Sequence, residues 1–92
     1  MEKNTVIVLK HDPDLKSIPY DVQVWQRLTW DLSRWHYCYS WGMYEKLSSA
    51  EYEAEECSYR YDGDGDFLFI TADDMQASFD AGTMFDLLEK FA

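Results

Sequence analysis

Asp62, Asp64 and Asp66, with Asp73 farther on, stand at positions 1, 3, 5 and 12 of a calcium-loop pattern, where hard carboxylate oxygens would ligate a divalent cation. The rest of that pattern is missing. Phe67 occupies the position where the loop turns on Gly, the next residues are apolar, and the twelfth position carries Asp instead of a bidentate Glu. No calcium site is expected there. His11, Asp12 and Asp14 form a second group of ligand types, but beside Pro13 they read as a solvated turn whose Asp side chains bond the backbone. Cys38 and Cys57 have neither a CxxC nor a zinc-ligand spacing and read as free thiols.

Nucleophilic catalysis needs an activated Ser or Cys beside a base, yet His11 and His36 belong to no GxSxG, HExxH or Cys-His signature. Gly42, Gly63, Gly65 and Gly82 are not followed by the Lys-Ser/Thr pair of a phosphate-cradling loop. The chain therefore reads as non-enzymatic, with no catalytic residue, no cofactor and no metal.

Charge is the more informative property. Residues 1–44 hold five acids and five bases, whereas residues 45–92 hold thirteen acids against Lys46, Arg60 and Lys90, so the second half supplies the whole net charge of −10. Such polarity steers encounters with basic surfaces and repels nucleic acid and anionic membranes, which excludes both as direct ligands. No run of 18 apolar residues and no charged-then-apolar leader is present, so a cytosolic location is expected, in the host cytosol if the protein is phage-encoded. At 92 residues the chain suits one domain spanning 1–92, and 47% hydrophobic residues with 17% aromatics suit a folded core.

The elements that must position the acids centre on Asp21–Trp41, which holds all four tryptophans. At helical spacing Trp25, Leu28, Leu32, Trp35 and Tyr39 share one arc, which predicts a long amphipathic helix capped by Asp21 and stopped by Gly42. Trp30, Tyr37 and Trp41 then form a second stripe, either covered by a C-terminal helix or left as a partner or dimer surface. The end of the stretch, WHYCYSW, also alternates with period 2, as a half-buried strand does; the lack of Gly or Pro between Arg34 and Trp35 tips the reading to helix. Before it, Thr5–Lys10 reads as a buried central strand. After it, Ser48 and Glu51 have the form of a capping box for a short helix ending near Glu56. CSYRY and DFLFIT around DGDG read as a β-hairpin, and the tail as two short helices, about 73–80 and one carrying Met84, Leu87, Leu88 and Phe91 with Thr83 as its cap. The expected fold is a small single-domain α+β protein: a three-stranded sheet, made of the N-terminal strand plus a hairpin, packed by one long aromatic-rich helix and short C-terminal helices.

Two functions fit this pattern. In the first, Glu51, Glu53, Glu55, Glu56, Asp62, Asp64 and Asp66 stand in for phosphates and occupy the basic nucleic-acid-binding surface of a target protein, so that the chain acts as an inhibitor. DNA carries a charge every ~1.7 Å of axis, and Glu51 and Glu55 on a helix are ~6 Å apart along theirs. In size and charge the chain is similar to small acidic inhibitors encoded by phages and mobile elements, including anti-restriction and anti-CRISPR proteins, although it shares no motif with them. In the second, it is an interaction module or homodimer that uses Trp30, Tyr37 and Trp41.

Overall fold

A computed structural model describes residues 4–28 and 31–92. Among them are β1 (Thr5–His11), β2 (Tyr20–Leu28), β3 (Asp31–Tyr44), α1 (Leu47–Arg60), β4 (Leu68–Thr71), α2 (Ala72–Ala81) and α3 (Met84–Glu89). The strands form one mixed sheet in the order β3-β2-β1-β4. β1, β2 and β3 pair antiparallel, and β4 lies parallel to β1. The architecture is α+β, with four strands and three helices among the described residues.

The long helix expected over 21–41 is instead the β2–β3 pair. Tyr20, Val22 and Val24 point to one face of the sheet, whereas Gln23 and Trp25 point to the other, so burial follows the period of a strand. An aromatic-rich sequence satisfied both templates, and no Gly, Pro or Asn lies between Tyr20 and Trp41 to announce two strands. Gly42 is not a stop. It pairs with Val22 inside β3, beside one of three register shifts that make this edge strand irregular.

The expected hairpin after Glu56 is also replaced. Ala50, Ala54, Cys57 and Ser58 are all buried, which is the spacing of one helix face, and α1 continues through them to Arg60. Small side chains on that face let α1 lie close over the sheet. Its N-cap is Lys46 with no side-chain cap bond, so Ser48 and Glu51 do not form the expected box. Past α1, Asp62 turns through a left-handed φ of 62°, and Gly63 N–H donates to Ser58 O at 2.8 Å. Only Gly fits there, since a Cβ would lie 2.3 Å from Ser58 Oγ. Gly65 N–H then donates to that Oγ, and the DGDG stretch is a loop leading to β4.

Both faces of the sheet are covered. On one, Ile7, Leu9, Val22 and Val24 pack against Ala50, Ala54 and Cys57 of α1. On the other, Val6, Val8, Trp25, Trp35, Leu68 and Ile70 pack against Met75 of α2 and Met84 and Leu88 of α3. β1 therefore buries both faces from Val6 to Leu9, as its unbroken apolar run requires and as expected of a central strand. A polar clasp ties the end of α3 to the sheet: Glu89 Oε1 accepts from Arg27 Nη1 at 2.9 Å and Trp35 Nε1 at 3.0 Å, while the Arg27 guanidinium lies 4.9 Å over the Trp35 ring.

The tail matches the sequence pattern closely. α2 begins at Thr71, whose Oγ1 accepts from Asp74 N–H, and ends at Gly82 with a left-handed φ of 73°. α3 follows with Thr83 at its N-cap position, but the Thr83 hydroxyl bonds back to Ser78 O instead of capping. In the turn after β1, Asp12 Oδ1 accepts from Asp14 N–H, the local bond that the sequence led us to expect.

Candidate functional site

The carboxylates singled out in the sequence fall on α1 and on the loop that leaves it. Glu51, Glu55 and Glu56 are exposed on α1, and Asp62, Asp64 and Asp66 are exposed on the loop. The 14 residues of α1 span about 21 Å. Asp73, Asp74 and Asp80 sit on α2, across the sheet from α1.

Glu53 differs from its neighbours. It is half-buried, and its Oε2 accepts from Trp41 Nε1 at 3.1 Å, which pins α1 to β3. Its charge also acts inward. Burial first and Glu53 second hold the Cys57 thiol up to about 12, and the same two causes in the same order raise Tyr44. Glu53 is thus occupied in the fold.

α1 places these acids without electrostatic support from its own backbone. Its first turn, where the positive end of the helix dipole favours carboxylates, contains none, and Asp62 lies just beyond the opposite end. By contrast α2 carries Asp73 and Asp74 in its first turn, so local stability accounts for that pair.

Between the acids stand two side chains that sequence reasoning missed. Tyr52 and Tyr59 are 62% and 56% exposed, two helical turns apart on the side of α1 facing away from Ala50, Ala54 and Cys57. The signal was their seven-residue separation, hidden because Tyr59 was assigned to a strand. Exposed Tyr among charges is a preferred contact type in protein interfaces.

The aromatic stripe does not survive as one surface. Tyr37 is exposed and meets the Trp25 ring edge-on at 5.8 Å, on the α2–α3 side of the sheet. Trp41 packs into the α1 side, and Trp30 lies outside the described residues. Strict alternation would have kept Tyr37 and Trp41 on one face; the register shifts of β3, where Trp25 pairs with Tyr37 but Val24 with Tyr39, separate them. Tyr39 also faces α1, where its hydroxyl shares a hydrogen bond with Tyr61; that bond, then burial, pushes Tyr39 up to about 12.

Among the described residues no group of three or more His, Cys, Asp or Glu side chains is arranged to hold a metal ion. His11 stacks on Tyr20 at 4.7 Å, and Cys38 and Cys57 are both free. No helix of the described chain is long and apolar enough to cross a membrane. No protein-family model, curated protein or solved structure matches this chain.

Proposed function

We propose that this protein is a non-catalytic inhibitor whose α1 face and following loop dock on the basic nucleic-acid-binding surface of another protein. Glu51, Glu55, Glu56, Asp62, Asp64 and Asp66 supply the phosphate-like charge, and Tyr52 and Tyr59 supply contact area between them. The observation that carries this reading is the placement of acids on α1. They are exposed, they gain nothing from the helix dipole, and Glu51 and Glu55 repel each other at i, i+4, each such pair costing ~0.2–0.5 kcal/mol. At Glu51 and Glu55 charge is kept where it opposes local stability, which an external partner would account for.

The homodimer alternative draws no support from an aromatic stripe, since Tyr37 and Trp41 lie on opposite sides of the sheet. The proposal is tested by binding to purified nucleases and other nucleic-acid-binding proteins, with and without competing DNA. DNA should displace the protein, and reversing Glu51, Glu55, Glu56 and Asp66 to Lys should abolish binding while the unfolding transition is retained. Simultaneous binding of DNA and this protein to the target, or undiminished affinity after the four reversals, would refute the mimic.

A further inference from the structure

We propose that the corner between α2 and α3 is a second docking site, which takes an aliphatic side chain carried on a basic segment of a partner protein. The corner holds an apolar groove of about 120 Å³ lined by Phe79, Gly82, Met84 and Phe85. Apolar cavities of roughly 150 Å³ accept a benzene-sized ring, so this one suits a single aliphatic side chain. Met84 is fully buried beneath it, whereas Phe79 is 43% exposed. Phe79 is held by the buried Trp25 ring at 5.9 Å, and Trp25 also meets the exposed Tyr37.

The charge around the groove selects its occupant. From Ala72 to Ala92 the chain has five acids against one base, Lys90. Glu89 is engaged by Arg27, and Asp80 accepts from Gln76; Asp80 and Asp86 flank Phe79 and Phe85 in sequence. An incoming apolar side chain on a neutral or acidic segment would bring no compensation for these carboxylates, whereas one flanked by Lys or Arg would. A second copy of this chain brings a net charge of −10 and is disfavoured for the same reason. This site lies across the sheet from α1, so it does not depend on the inhibitor reading above.

Gly82 gives the site a clean test. A Cβ there would meet nothing within 4 Å, so a side chain is accommodated without a clash at a position that lines the groove. Its left-handed φ of 73° is one that Asn tolerates, which makes Gly82→Asn a variant that alters the lining of the groove and keeps the cap. The probe is a synthetic helical peptide of Lys, Leu and Ala, titrated into the isotopically labelled protein and followed by backbone amide shifts. Saturable shifts at Phe79, Gly82 and Phe85 are expected, with affinity at least ~tenfold weaker for Gly82→Asn and for Phe79→Ser. Peptides with Leu replaced by Ser, or Lys by Glu, should not shift these residues, and Glu51→Lys with Glu55→Lys should leave the affinity unchanged. Shifts confined to α1, equal binding by Gly82→Asn and Phe79→Ser, or concentration-dependent shifts at the groove without peptide would overturn the proposal, the last in favour of a second copy.

Discussion

The two thiols differ in everything but oxidation state. Cys38 is exposed on β3, whereas Cys57 is fully buried under α1 with its thiol raised by burial and by Glu53. A thiol reagent at neutral pH should therefore titrate one group in the folded protein and two in denaturant, and rapid reaction of both in the fold would contradict this packing. Cys57 also couples stability to pH. The unfolded thiol ionises near 9.0 and the folded one near about 12, so across that window the unfolded chain has released a proton that the fold retains. Stability is fully present below about pH 9 and falls as pH rises through the window; Tyr39, raised from 10.0 to about 12 by its bond to Tyr61, acts in the same direction. Urea unfolding on either side of pH 9 should show the decline, and Cys57→Ala should make it shallower. Individual residues were partly legible beforehand. The Asp12 turn bond and the Thr5–Lys10 core could be read from residue type alone, but the Glu53–Trp41 bond joins two elements and depends on tertiary placement.

Elements that end in recognisable chemistry were legible, and those that do not were not. α2 and α3 were legible from Gly82 between them and from Met84 and Leu88 at core spacing, although the cap of α2 is Thr71, which the sequence pattern assigns to a strand, and Thr83 does not cap α3. β2 and β3 pass from Tyr20 to Trp41 with no turn residue other than Asp and Ser, so their period-2 pattern competed with an equally good helical one and lost. In the segment after Glu56 the reverse happened: Gly63 and Gly65 were read as a hairpin turn when Gly63 closes a helix. That role gives a sharp expectation. Gly63→Ala puts a Cβ 2.3 Å from Ser58 Oγ and 2.9 Å from Ser58 O, and a clash against backbone at this site should cost about 1–3 kcal/mol. Gly82→Ala has open space and meets only the left-handed φ, so a cost of about 1 kcal/mol is expected, part of it recovered by Gly82→Asn. Equilibrium denaturation of the three variants would decide; a neutral Gly63→Ala would mean that the loop does not close on Ser58. The irregular β3 edge belongs to this scale too. Its three register shifts and the exposed Arg34 blunt a 14-residue strand that would otherwise be a template for another chain.

Across the whole molecule, charge and stability pull in opposite directions. A net charge of −10 on 92 residues destabilises the compact state through self-repulsion, and the sequence made that imbalance legible while leaving its distribution over two faces of a sheet unreadable. Salt should therefore act with opposite sign on folding and on binding. Raising ionic strength from about 0.01 to about 0.15 M shortens the Debye length from about 30 to about 8 Å, which relieves repulsion within the protein and screens attraction to a basic target. The unfolding midpoint is expected to rise while affinity for the target falls. Glu55→Gln separates the two effects at one residue. It removes the i, i+4 repulsion with Glu51, so stability should rise by about 0.2–0.5 kcal/mol, and the exposed position leaves the core untouched. Under the proposed function the same substitution weakens target binding. A variant that is less stable than the parent would show that Glu55 serves the fold, and the placement of acids on α1 would then need no partner to account for it.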